Sequence, residues 1–181
     1  MNFASKITRT PIPHNPERGA EVAAVFAGAP KPLQNLIEGA AGCSPYLSAV
    51  MAQQAEWLSG AFDDPAAALQ TQYEALKQAP LDQLKPLLRQ AKARIAALTA
   101  LADLGGVWPL EQVTGTLTEF ADLAVEVSLK ALVAAEIKRG KLPGMGPDDV
   151  DTAGGMVVLA MGKMGAGELN YSSDIDLICL F

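Results

Sequence analysis

A change of patterning past residue 140 constrains this 181-residue chain more than any other feature. Before it, Ala, Leu, Gln, Glu and Lys are abundant, and apolar residues recur at steps of three and four, the period of an amphipathic helix. Past it that period is lost. Two apolar runs of strand length appear instead, 156–161 between glycines and 175–181, whose one charged residue is Asp176 near its head. About a dozen residues join them, which leaves no room for a crossover helix, so the strands are expected to pair antiparallel. The pattern predicts a mainly α N-terminal helical region leading into the first β-hairpin of an α/β domain.

The helical part is divided by its own punctuation. Residues 1–16 read as a flexible leader, because the Pro-rich stretch 11–16 makes a poor helix. Short helices are expected at 17–27 and 31–40, separated by Gly28, Pro30 and Pro32. Ser44-Pro45 starts another, to about Ser59. Ser caps, and Pro at the first position gives up an N–H that has no partner there. Asp64-Pro65 repeats the signal for a helix to about Ala79. From Leu81 a helix runs to Leu104, with Pro86 in a first turn or at a kink, and Gly105-Gly106 ends it. Pro109 opens the longest helix, to about Arg139, along which Val113, Leu117, Phe120, Ala124, Val127 and Ala131 form an apolar stripe. Residues 17–140 are thus read as a helical region, 141–155 as a loop and 156–181 as the start of a further domain.

Charge and thiols narrow the function. The net charge is −6 and there is no basic cluster, which disfavours nucleic acid as a partner, since phosphate neutralisation needs Lys and Arg. A phosphate-bearing small molecule remains open, because metal ions can supply positive charge. No apolar run approaches the ~20 residues of a membrane span, and the leader lacks the apolar centre of a secretory signal. Cys43 and Cys179 are lone thiols without metal-ligand spacing; Cys179, among apolar neighbours, reads as a core residue, and a reducing cytoplasm fits. His14 receives no role. Trp57, Trp108 and Phe120 read as helix-packing residues rather than base-stacking platforms.

The chemistry concentrates between the two apolar runs. Asp174 and Asp176 stand at the head of the second run, and residues two apart on a strand share a face, with Cα atoms roughly 6.6 Å apart. Two carboxylates so placed can hold Mg²⁺, which binds through one or two carboxylates plus substrate phosphates. A bare Asp-x-Asp more often only caps a strand. Here a buried hairpin ending in two like charges would be costly without a cation. Other readings fail on spacing. Gly162-Lys163 is followed by Met164, and Val157 stands where a P-loop needs its first glycine. Gly162, Gly165 and Gly167 are in the wrong order for a dinucleotide fingerprint, and a second strand, not a helix, follows them.

The run from Gly162 to Leu177, GKMGAGELNYSSDIDL, strongly resembles the signature of bacterial glutamine-synthetase adenylyltransferase/adenylyl-removing enzymes, members of the DNA polymerase beta-like nucleotidyltransferase superfamily. The stretch Gly42-Cys43-Ser44-Pro45-Tyr46-Leu47 and the helical arrangement are similar to that family's N-terminal region, so the resemblance covers roughly 36–181. It implies that the hairpin opens a nucleotidyltransferase domain that removes AMP from a tyrosine of glutamine synthetase, with phosphate as acceptor and ADP as product. A second domain of that family attaches AMP from ATP, and glutamine and PII-type signal proteins set the balance. By the same resemblance Asp174 and Asp176 are catalytic and bind Mg²⁺. Gly162-Lys163 takes the place of the superfamily's phosphate-touching Gly-Ser turn, and Ser173 orients the turn or touches phosphate. The third carboxylate of the superfamily is not in the sequence, so the chain reads as a fragment, inactive alone. Two alternatives stay open: an inactive interaction module of that enzyme, and a different nucleotidyltransferase.

Overall fold

The computed structural model describes residues 3–181. Among them are eight α-helices and one two-stranded antiparallel sheet, the mainly α region leading into a β-hairpin that the sequence predicts. The helices are α1 (Pro16–Val25), α2 (Lys31–Cys43), α3 (Pro45–Gln53), α4 (Ala55–Ala61), α5 (Pro65–Lys77), α6 (Leu81–Leu104), α7 (Leu110–Lys138) and the single turn α8 (Gly162–Gly165); the strands are β1 (Val157–Ala160) and β2 (Leu177–Leu180).

Three helices begin on the same device. Asn15, Ser44 and Asp64 accept hydrogen bonds from the N–H groups of Arg18, Leu47 and Ala67 at 3.0, 3.2 and 3.1 Å, and each is followed by Pro. Stops are equally local. Gly106 and Gly140 take φ of +64° and +69°, the left-handed conformation that glycine adopts without strain. Pro86 lies inside α6 without ending it.

The chain divides into two compact units, and α5, α6 and α7 each contribute to both. The first comprises Met1–Gln72 and Gln90–Val113. Its core centres on Leu36, Ile37, Ala40 and Ala41 of α2, with Met51, Leu58 and Leu101, all buried. The second comprises Tyr73–Arg89 and Thr114–Phe181, and buries Leu76, Leu84, Leu123, Val127, Met164 and Leu169.

Four expectations need correction. The helix expected from Pro45 to about Ser59 is two helices, because Gln54 leaves the helical range at φ −110°, ψ 21°. Its side chain accepts a hydrogen bond from Arg94 Nε at 2.9 Å, a tertiary contact that a local reading misses. Residues 3–16, expected to be a flexible leader, are anchored to the helices at several points, although most of their side chains stay exposed; Met1 and Asn2 lie outside the described residues. Phe3 is buried against Phe62 with ring centroids 5.0 Å apart, and Arg9 donates to the terminal α6 carbonyls of Asp103 and Leu104. Asn15 N–H donates to Gly42 C=O at 3.1 Å. The Gly-rich turn contains α8, which was not expected. Cys179 is exposed rather than core: it lies near the end of β2 opposite Val158, where little packs against the two-stranded sheet.

Candidate functional site

The hairpin pairs Val157 with Leu180, Val158 with Cys179, Leu159 with Ile178 and Ala160 with Leu177. Met161 N–H then donates to Asp176 C=O at 2.9 Å, which carries the ladder one rung further and puts Asp176 beside the start of the turn. Directly paired residues of an antiparallel sheet share a face. One face therefore carries Val157, Leu159, Ile178 and Leu180, which remain 54%, 45%, 44% and 51% exposed. The Met161–Asp176 rung belongs to that same open face by its alternation. The opposite face, with Val158, Ala160 and Leu177, lines a hollow of about 330 Å³ that Met164 and Asp122 also border. Partial burial there raises the Asp122 carboxyl above its ordinary value.

Each glycine of the turn has its own reason. Gly162 takes φ of +57°, and a methyl added to it would lie 4.0 Å from Asp176 Oδ2, so the turn approaches that carboxylate with nothing between. A methyl on Gly165 would overlap the Ala160 carbonyl oxygen, so the backbone folds back onto β1 only without a side chain. Gly167, at φ +74°, releases the chain from α8. Gly165 and Ala166 N–H groups donate to the carbonyls of Met161 and Gly162 at 3.2 and 3.1 Å, and Glu168 N–H donates to Lys163 C=O at 2.7 Å. Met164 and Leu169 are the buried anchors of the segment.

A second small loop precedes the carboxylates. Asn170 Oδ1 accepts from Ser172 N–H at 3.0 Å and from the Ser173 hydroxyl at 2.9 Å, while Ser173 Oγ accepts from Asn170 N–H at 3.2 Å. The Ser173 hydroxyl is thus engaged in knitting the turn that delivers Asp174. Of the residues singled out from sequence, Gly162 and Asp176 are brought together. Lys163 is exposed on α8, Ser173 is half-buried in the Asn170 turn, and Asp174 is exposed two residues ahead of the ladder. Asn170 and Thr118, which hold the segment, were not singled out. The Asn-x-Ser-Ser sequence, a ready side-chain-to-backbone turn, was the available signal for the first.

Asp174 and Asp176 are both exposed, so the burial cost expected to call for a cation is absent; what remains is the donor chemistry, carboxylate oxygens of the kind a hard cation takes. Among the described residues no group of three or more His, Cys, Asp or Glu side chains could hold a metal ion. No helix among the described residues is long and apolar enough to cross a membrane.

Comparison with known proteins agrees with the motif. Residues 33–181 match the model of the glutamate-ammonia ligase adenylyltransferase family. A bifunctional glutamine synthetase adenylyltransferase/adenylyl-removing enzyme of a Bradyrhizobium species is 42% identical over 173 residues, 92% of this chain and 17% of that protein. Its namesake from Rhodopseudomonas palustris is 40% identical over 172 residues, again 92% of this chain and 17% of the relative. The one from Caulobacter vibrioides is 42% identical over 138 residues, 74% of this chain and 14% of the relative. The chain thus spans about a sixth of the length of the curated relatives it matches. No solved structure matches it.

Proposed function

This chain belongs to the glutamate-ammonia ligase adenylyltransferase family, and from that premise we propose that its hairpin is part of an adenylyl-removing site. The substrate is glutamine synthetase carrying AMP on a tyrosine, phosphate is the acceptor, and ADP is the product. The observation that carries this reading is the juxtaposition of Gly162 with the Asp176 carboxylate at the mouth of the hairpin, inside the segment that bears the family's motif.

The roles follow from the chemistry of each group. An oxygen of hydrogen phosphate attacks the phosphorus of the AMP group, the bond from phosphorus to the tyrosine oxygen breaks, and the proton given up by the hydrogen phosphate ends on that oxygen. Asp174 and Asp176 would hold Mg²⁺, which would supply Lewis acidity for phosphoryl transfer. Lys163, exposed on α8, offers a cation to incoming phosphate. Gly162 keeps the backbone bare beside Asp176, so a phosphoryl group can approach without meeting a side chain. Ser173 orients the turn ahead of Asp174 through Asn170. A cytoplasmic setting, and a PII-type protein as the partner that sets the balance, belong to the same reading.

Among the described residues no third carboxylate joins Asp174 and Asp176, so in this reading the 181 residues are expected not to turn over by themselves. Purified chain, incubated with adenylylated glutamine synthetase, phosphate and Mg²⁺, is expected to release no ADP above background. A protein that carries these residues within the full length of the curated relatives is expected to release it. There, Asp174→Asn or Asp176→Asn lowers ADP release on the order of a hundredfold or more, the scale of losing a principal electrostatic contact in the transition state. Attachment of AMP from ATP stays largely intact. Equal loss of both activities would overturn the site assignment, and steady ADP release by the 181-residue chain would refute its inactivity.

A further inference from the structure

We infer that Thr118 of α7 is a positioning residue for the Asp174–Asp176 site, acting through the turn that sets Gly162 against Asp176. The inference rests on the functional reading above and names a residue outside the motif. Thr118 is buried. Its hydroxyl donates to Thr114 C=O at 2.9 Å, and its oxygen accepts from Leu169 N–H at 3.3 Å. The second bond is buried and joins positions 51 residues apart. One hydroxyl thereby spends its proton on its own helix and a lone pair on the turn, so its direction is fixed at both ends.

Leu169 is the point where that bond has most leverage. On one side Glu168 N–H closes onto Lys163 C=O, and on the other Asn170 closes onto Ser173. The segment is therefore two small hydrogen-bonded loops meeting at Leu169. The first begins at the residue proposed to meet phosphate, and the second ends next to Asp174. The Leu169 and Met164 side chains hold the segment down by apolar contact, which is non-directional. The Thr118 bond is directional, and it fixes the register of both loops along α7. Without it the Leu169 N–H is a buried donor that has lost its partner, and the turn shifts to recover one.

Two substitutions separate this role from simple packing. Thr118→Val keeps the shape and removes both hydrogen bonds, whereas Thr118→Ser keeps the hydroxyl. In the 181-residue chain, the Leu169 amide is expected to exchange with solvent at least about tenfold faster in Thr118→Val, and near the wild-type rate in Thr118→Ser. In a protein that carries these residues within the full length of the curated relatives, kcat/KM for phosphate in ADP release is expected to fall at least about threefold in Thr118→Val, mainly through KM, with recovery in Thr118→Ser. Unchanged Leu169 exchange overturns the inference, and so does faster exchange with kcat/KM for phosphate left at the wild-type value. A wild-type protein that releases no ADP refutes the functional reading instead, and with it the positioning of that reaction; the exchange result then decides only whether Thr118 holds the turn.

Discussion

In α2, Leu36, Ile37, Ala40 and Ala41 are closed off from solvent completely, while in the hairpin Val157, Leu159, Ile178 and Leu180 leave about half of their surface open. The residue types are alike, and the difference lies in what surrounds them. Helix α2 contacts α1 and α3, and its core cluster also takes in residues of α4 and α6. The hairpin rests on one face only, and the open face is the one that carries the Met161–Asp176 rung. In the proposed function the open side admits the substrate and stays unpacked, so the hairpin's geometry falls to a few anchors beneath it. Here these are Met164, Leu169, the Thr118 hydroxyl and the missing side chain of Gly165.

The contrast is broken most directly by paired truncations. Leu36→Ala is expected to cost about 3 kcal/mol of unfolding free energy, within the range for a fully buried leucine. Leu159→Ala, on the open face, is expected to change stability by no more than about 0.5 kcal/mol. Urea unfolding followed by circular dichroism measures both. A large cost for Leu159→Ala would mean that this face is covered in solution, and sedimentation at two protein concentrations would then show self-association.

Glycine substitutions sharpen the same comparison at a smaller scale. A methyl on Gly39 would overlap the Pro11 carbonyl oxygen, and one on Gly42 would overlap the Pro13 side chain. Gly39→Ala is therefore expected to cost about 1–3 kcal/mol, as overpacking does, and to raise proteolysis near Pro11. Gly165→Ala meets the Ala160 carbonyl oxygen instead. Its effect should stay local: faster amide exchange over 157–160, with the unfolding midpoint of the helical unit unchanged. A Gly39→Ala protein as stable and as protease-resistant as wild type would show that residues 3–16 do not hold their packed position.

The same glycines show where the sequence was legible. Helix starts at Pro45 and Pro65, the limits of α6 and α7, and the antiparallel strands were all readable, because each rests on cap chemistry or on a period within one segment. The docked N-terminal stretch was not, since nothing in 3–13 itself encodes its partner. Its signal lies elsewhere, in Gly39 and Gly42 inside an otherwise good helix, where glycine is unfavourable unless another backbone comes close. The break at Gln54 has no glycine or proline to announce it and depends on Arg94, forty residues away. For the site, the motif pointed to Gly162, Lys163, Asp174 and Asp176. Thr118 was invisible, because one threonine on an amphipathic helix reads as any half-polar position until its partner is known. Cys179 is exposed for a related reason: an apolar run indicates a strand but not how much of either face is covered along its length.

The smallest expected effect concerns the unit that carries the hairpin. Tyr73 belongs to it, and its hydroxyl is buried without a hydrogen-bond partner among the described residues. Burial, and secondarily the charge of Glu119, push the phenol above its ordinary value. Since the folded state holds the proton more tightly than the unfolded state, the contribution to stability is complete below the unfolded pKa of about 10. It is lost progressively as the pH climbs from there toward the folded value. Tyr73→Phe removes both the unpartnered hydroxyl and this titration. At pH 7 the variant is expected to match wild type or to exceed it by up to about 1 kcal/mol, because no hydrogen bond is given up. Between pH 9 and pH 11 the advantage of the variant should widen, as only wild type carries the additional proton-linked loss. Tyr46 and Tyr171 are common to both proteins and cancel in the difference. Urea midpoints at pH 7, 9 and 11 measure it. Parallel curves for the two proteins would place the Tyr73 hydroxyl in contact with solvent, and a destabilised Tyr73→Phe at pH 7 would show that the hydroxyl has a partner after all.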